Sequence, residues 1–219
     1  MTSGKVTHDY IVIGAGSAGC AMAHRLTEEG ASVLLLEAGQ PDEKEEIHVP
    51  AMFPHLMKSD VDWDYSTTPQ SEMNDRELYW PRGKTLGGSS SINAMIYIRG
   101  VPHDYDTWAD RGNEGWGYDD MLPYFKQAEQ FEPGDSEYHG QGGPLNVAEA
   151  ADPHPVSEAM VDAAAETGIP RNDDFNGAEQ EGTGLYHVTQ EDGQRCSAAK
   201  AYITPILDRD TLTVETGAQ

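Results

Sequence analysis

Gly14, Gly16 and Gly19, in the run G-A-G-S-A-G, are the residues most able to do chemistry through the backbone alone. At this spacing the first glycine permits a tight turn and the second lets the main chain approach a pyrophosphate. The third lets the following helix pack close to the preceding strand. Amides at the helix start, at Ser17 and Ala18, then face the phosphates. Glu37 closes the next apolar run, where a carboxylate accepts hydrogen bonds from ribose hydroxyls and repels a 2′-phosphate, so NADP is disfavoured. The pattern predicts a dinucleotide site rather than a structural turn.

Other reactive-looking groups carry less. R-G-K-T at Arg82 to Thr85 resembles the tail of a phosphate-binding P-loop, but Leu78 stands where that loop needs glycine and no strand precedes it. Ser89 to Ser91 lack a G-x-S-x-G elbow and read as a turn. His8, His24, His48, His55, His103, His139, His154 and His187 show no metal-ligand spacing and read as surface or core. Cys20 and Cys196 make neither a disulfide framework nor a metal cluster. Trp63, Trp80, Trp108 and Trp116 read as packing anchors, Trp63 being the one expected beside the nucleotide.

The elements that must position the glycines are legible around them. Tyr10 to Ile13 read as a strand, the residues after Gly14 as a helix ending at Gly30, and Val33 to Leu36 as a strand. The second run is continuous rather than alternating, as in a parallel sheet covered on both faces. Gln40 to Met73 is Pro-rich and acidic, with a short helix expected near Pro50 to Lys58. Trp80 to Arg99 form a second glycine-rich block whose centre looks too rich in small residues to be a core element. Helices are expected over Tyr118 to Gln130, His154 to Thr167 and Ser197 to Leu207, with a short strand at Leu212 and Val214.

The second block resolves into a family signature. Gly83-Lys84-Thr85-Leu86-Gly87-Gly88-Ser89-Ser90-Ser91-Ile92-Asn93, followed by Tyr97 and Arg99-Gly100, resembles the first signature of the glucose-methanol-choline (GMC) flavin oxidoreductases. Similarity extends over nearly the whole chain. It includes Asp9 to Cys20, L-L-E-A-G at Leu35 to Gly39, W-D-Y at Trp63 to Tyr65, and H-G-Q-G-G-P-L at His139 to Leu145. D-F-N-G at Asp174 to Gly177, Q-E-G at Gln180 to Gly182 and R-C-S-A-A-K-A-Y at Arg195 to Tyr202 complete it.

The resemblance implies an α/β fold: a Rossmann-like FAD-binding domain with a parallel sheet over residues 8–105, to which 195–219 return. Residues 106–194 would form part of an α+β substrate domain. It implies FAD rather than NAD, and the Gly83 to Asn93 block speaks against a nicotinamide dehydrogenase. The implied contacts are Gly14, Gly16, Ser17, Ala18 and Gly19 at the pyrophosphate and Glu37 and Ala38 at the ribose. Trp63, Arg82, Gly83, Gly87, Gly88, Ser89, Asn93, Ala94, Met95 and Ile96 complete the set, with Gly87 to Ile96 against the flavin. Ile92 stands where some members carry a flavin-linking histidine, so dissociable FAD is expected. The family oxidises the CH–OH group of an alcohol, passing hydride to the flavin and then electrons to an acceptor. Its histidine base lies in a C-terminal segment expected beyond Gln219. The alternative is a flavin-binding fragment without turnover. A partial sheet should also leave edges prone to aggregation.

Composition excludes other classes. With 38 acidic and 14 basic residues the formal charge is -24, which speaks against nucleic-acid and anionic-membrane binding, since both need basic patches. An anionic cofactor is still admissible, because helix amides supply local positive potential, aided by Arg82, Lys84 and Arg99. The acidic excess suggests solubility in concentrated salt, where charge is screened over about 3 Å at ~1 M. With no leader-like or membrane-length apolar run, a cytoplasmic location is expected.

Overall fold

A computed structural model describes residues 7–219. The chain divides into two compact units, one comprising residues up to Ala94 together with Gln194–Gln219, the other Met95–Gly193.

In the first unit, strand β1 (Tyr10–Ile13), helix α1 (Ser17–Glu28) and strand β2 (Val33–Leu36) follow each other directly. β2 lies in the middle of a parallel three-stranded sheet, with β1 on one side and the strand Leu212–Glu215 on the other. Its Val33 and Leu35 are fully buried. β1 is an edge, with Tyr10, Ile11 and Ile13 exposed. α1 packs its Cys20 and Ala23 against the segment Ala199–Ile203, whose Ala199 and Ile203 are also buried. The helix expected over Ser197 to Leu207 is instead one wide π turn at Ala199–Ile203 followed by a 3-10 turn at Thr204–Ile206. Pro205 has no N–H to donate to the Ala201 carbonyl, so α-helical bonding cannot run through it. For the same reason Pro50–Leu56, with prolines at 50 and 54, is 3-10 rather than α.

The second glycine block departs from expectation. Thr85, Leu86, Gly88, Ser91 and Ile92 are buried, and Ile92 joins Ile47, Leu56 and Val61 in one apolar cluster. Small residues make this turn a core element, because they allow backbone to pack on backbone.

The second unit holds the helices Pro102–Asp110, Tyr118–Ala128 and Pro155–Glu166. The helix expected to reach Gln130 stops at Ala128, where Glu129–Phe131 pair in parallel with Leu145–Val147. Phe131 and Val147 are buried there. Trp108 and Trp116 are half-exposed, stacking edge-to-face 5.9 Å apart rather than anchoring a core, and in the first unit Trp80 is half-exposed too. Among the described residues no helix is long and apolar enough to cross a membrane.

Candidate functional site

Because β1 and β2 run parallel, their C-terminal ends open at the same edge, and the glycine loop leaves β1 there. Gly14 turns at φ +90, and its N–H donates to the Leu36 carbonyl at 2.7 Å. A Cβ on Gly19 would lie 1.9 Å from the Gly14 carbonyl oxygen, so only glycine lets α1 pack this close to the loop. A Cβ on Gly16 would meet nothing within 4 Å, which leaves open space at the helix start. α1 has no side-chain cap and no acidic residue in its first turn, so its first amides present unpartnered donors and the positive end of the helix dipole.

Glu37 binds this loop together. Its carboxylate is 5% exposed and accepts from the Ala15 N–H and the Gly39 N–H, each at 2.8 Å. Each oxygen keeps a second lone-pair direction for a ligand hydroxyl.

The second glycine block forms the facing wall. The Gly87 N–H donates to the Ala15 carbonyl at 2.7 Å, and a Cβ on Gly88 would lie 2.7 Å from Gly16 Cα. The two glycine turns therefore touch backbone to backbone. Between them and the strand ends lies a groove of about 570 Å³. Of the sequence-predicted residues, Gly14, Gly16, Glu37, Ala38, Trp63, Arg82, Gly83, Gly88 and Ser89 line it, joined by Ile13, Leu36, Tyr65 and Ala218. Trp63 stacks on Tyr65 at 5.6 Å, and Lys84 Nζ lies 4.5 Å above the Trp63 ring. The W-D-Y string was the signal for Tyr65; Ala218 had none.

The remaining predicted residues fall elsewhere. Ser17 and Ala18 are exposed at the helix start, while Gly19 and Gly87 hold the backbone crossings. Asn93 and Ala94 are exposed just beyond the serine turn. Met95 and Ile96 belong to the second unit, where buried Met95 adopts φ +61 and its carbonyl accepts from the Thr189 N–H at 2.8 Å. Arg99, expected to assist a phosphate, is 8% exposed in that unit, and its guanidinium is used by Glu129 at 2.7 Å and the Tyr138 carbonyl at 2.7 Å.

Sequence reasoning passed over one buried cation. Arg195 is 1% exposed and donates from Nε to the Ile47 carbonyl at 2.7 Å. Its Nη1 donates to the Ser90 carbonyl at 3.1 Å and to Asn93 Oδ1 at 2.9 Å. An arginine heading the small-residue run C-S-A-A was the signal available.

A family model described as GMC oxidoreductase matches residues 8–219. The chain belongs to the GMC oxidoreductase family. It is 48% identical over 214 residues to the alcohol dehydrogenase [acceptor] of Pseudomonas putida, covering 96% of this chain and 39% of that protein. It is 45% identical over 217 residues to the mitochondrial choline dehydrogenase of Homo sapiens, covering 95% and 36%. Among solved structures, pyridoxine 4-oxidase from Mesorbium loti superposes with a TM-score of 0.91 at 38% identity, covering 96% of this chain and 42% of that one. The FAD-dependent oxidoreductase from Chaetomium thermophilum superposes with a TM-score of 0.87 at 31% identity, covering 95% and 38%. This GMC chain thus spans between 36 and 42% of the length of these relatives.

The second unit of the GMC chain contains a buried ionic network. His139 is 1% exposed and lies between two carboxylates, with Nδ1 3.2 Å from Glu129 Oε1 and Nε2 3.1 Å from Asp174 Oδ2. Phe131 stacks on its ring at 3.7 Å. Burial opposes an imidazolium, but the bonds to Asp174 and Glu129 outweigh it and raise the His139 pKa above its ordinary value. Burial likewise works against ionised Glu129 and Asp174, yet their partners hold both carboxyl groups below the usual range. His187, also buried, has its pKa lowered by desolvation. Among the described residues no group of side chains is arranged to hold a metal ion.

Proposed function

We propose that this chain is the FAD-binding portion of an oxidoreductase acting on the CH–OH group of an alcohol. The observation that carries this reading is the contact of the two glycine turns, with Gly88 against Gly16. It creates a groove with bare helix amides at one end and the Glu37 carboxylate beside it. Such a groove matches a ligand that presents both a pyrophosphate and a ribose. The names of the relatives support the choice of alcohol and flavin chemistry.

In this reading the amides of Ser17 and Ala18 hold the pyrophosphate, Glu37 accepts from the adenosine ribose, and the walls at Trp63, Arg82, Gly83 and Ser89 exclude water. Asn93 and Ala94, exposed just beyond the serine turn, face the flavin. A bound flavin supplies the two-electron acceptor for hydride leaving an alcohol carbon. The unit that runs up to Ala94 and takes in Gln194–Gln219 is the FAD-binding part, a boundary earlier than the expected residue 105, and Met95–Gly193 is part of the substrate domain. Ile92, at the position where some family members carry a flavin-linking histidine, offers no nucleophile, which supports a non-covalently held FAD. The reaction partners are an alcohol and a separate electron acceptor. We read the location as cytoplasmic, in keeping with Cys20 and Cys196 buried as thiols, and the charge of -24 as suited to a salt-rich interior.

The test is to reconstitute the purified chain with FAD, remove unbound cofactor, and follow the flavin absorption band anaerobically on adding alcohol. Retained flavin that bleaches supports the full reading. Retained flavin that does not bleach restricts the chain to cofactor binding, and flavin that washes away refutes both. Flavin that stays with the polypeptide in denaturing acid refutes the non-covalent assignment.

A further inference from the structure

Asp62 stands beside the groove without lining it, 6% exposed. Its carboxylate meets four donors. Oδ1 accepts from the Asp64 N–H at 3.2 Å and the Arg82 N–H at 3.1 Å, and Oδ2 from the Lys58 N–H at 2.8 Å and the Tyr79 hydroxyl. Two acceptances fill each oxygen, so no lone pair is left for a ligand. Burial opposes its ionisation, but these bonds outweigh it and hold the carboxyl below its ordinary pKa. A buried charge used wholly on the chain's own donors holds backbone in place.

The backbone it holds is a break in an antiparallel ribbon. Residues 61–66 and 79–84 pair in one register, from the Lys84 N–H on the Val61 carbonyl at 2.7 Å, through the bridge of Asp62 with Gly83, to Tyr65 opposite Trp80. Trp63 donates to the Arg82 carbonyl at 2.9 Å, and a regular ladder would return the Arg82 N–H to the Trp63 carbonyl. That N–H goes to Asp62 Oδ1 instead. In the same register Asp64 faces Pro81, which has no N–H to give, and Asp64 turns at φ +50 with its own N–H on Asp62. The break thus falls between Trp63 and Tyr65, whose rings stack 12° from parallel. Trp63, Tyr65, Arg82 and Gly83 all line the groove.

We propose that Asp62 is a positioning residue for the cofactor: by taking the amides of Arg82 and Asp64 it sets the ribbon break that makes Trp63 and Tyr65 a stacked wall of the groove. This rests on the FAD reading above. A wall stacked before the ligand arrives needs no ordering on binding, so its loss is read as lost affinity.

The experiment measures the affinity of the 219-residue chain for FAD, with the urea midpoint alongside. Asp62→Ala removes the acceptor at the break and should weaken FAD binding about tenfold or more. Asp62→Asn keeps one oxygen for the Arg82 and Asp64 amides and can turn its NH₂ toward the Tyr79 hydroxyl, so it should recover most of the affinity though not the stability. Tyr79→Phe touches only the far oxygen and should lower stability while affinity stays within about threefold. In a Trp63→Ala background, where the stack is already gone, Asp62→Ala should add little further loss. Losses that multiply in full in that double variant overturn the proposal, because a general disturbance acts independently of Trp63. Wild-type affinity in Asp62→Ala overturns it too, as does a loss in Asp62→Asn or Tyr79→Phe equal to that in Asp62→Ala. Should Asp62→Ala fail to fold, Asp64→Pro decides, since at that exposed residue it removes the N–H bonded to Asp62 and forbids the positive φ; unchanged affinity there overturns the proposal. A wild-type chain that takes no FAD overturns the FAD reading and this inference with it, whereas wild-type binding without the expected coupling overturns this inference alone.

Discussion

Gly19 and Glu37 decide whether the first loop can form at all. Gly19→Ala would place a methyl group 1.9 Å from the Gly14 carbonyl oxygen, a backbone atom that cannot rotate away. We expect a loss of stability at or above the ~1–3 kcal/mol typical of overpacking, together with loss of FAD retention. Urea unfolding and flavin absorbance after desalting measure the two effects. Glu37 acts differently, since its two oxygens serve two separate backbone donors, Ala15 and Gly39. Glu37→Gln leaves one amide facing an NH₂ group, at a cost of about 1–3 kcal/mol for an unmet buried donor. Its affinity for FAD should fall further than its stability does. Equal stability and equal affinity in the variant would exclude the bridging role of Glu37.

The edge strand β1 and the serine turn are the elements that most shape behaviour in solution. Tyr10 is 50% exposed, Ile11 61% and Ile13 85%, so an apolar strand edge is open to pairing with another chain. Ile11→Lys places a charge there without entering the groove. It should reduce self-association in sedimentation velocity while leaving the thermal midpoint within a few degrees; unchanged association would show that this edge is not the sticky surface. The serine turn works the other way, because it is buried and its glycines interlock with the first loop. Gly88→Ala adds a Cβ 2.7 Å from Gly16 Cα at a residue whose φ is +55, so both space and backbone conformation oppose it. Flavin retention should fall even where circular dichroism shows the helices intact.

At the scale of the whole molecule, charge governs stability in two ways. The second unit buries His139 between Glu129 and Asp174, and its pH dependence follows from the directions of their shifts. The raised His139 pKa contributes stability that is fully present below about 6.5, its ordinary value, and is lost as pH rises through the higher folded value. The lowered Glu129 and Asp174 values contribute stability present above their ordinary range and lost as pH falls through the depressed ones. His187, buried neutral, adds to the loss on the acid side. Unfolding midpoints should therefore peak at mildly acid to neutral pH, and His139→Phe should remove the alkaline limb. A wild-type alkaline limb in that variant would assign it to another group. The net charge of -24 acts more broadly, since repulsion among exposed carboxylates is screened by salt. A higher unfolding midpoint in molar KCl than in dilute buffer is expected, and equal midpoints would dismiss adaptation to salt.

The local pattern strand, glycine turn, helix, strand, acid was legible in the residues, because each of its parts is set by neighbours along the chain: β1, α1, β2 and Glu37 stand where their spacing puts them. The family was legible too, since the Gly83 to Asn93 string is contiguous. What the sequence could not disclose was which small residues are buried and which charges find each other. The Gly87 to Ser91 turn looked too rich in small residues to be a core element, and became core only by closing on Gly16 and Ala15 from far along the chain. Arg99 looked like a phosphate ligand until the fold supplied Glu129, and Arg195 looked unremarkable until the fold surrounded it with neutral acceptors. Residue type and spacing are properties of the chain, whereas desolvation and pairing are properties of what tertiary contacts bring alongside. So the glycine loop and its acid were decided by sequence alone, and the roles of the buried arginines by tertiary structure alone.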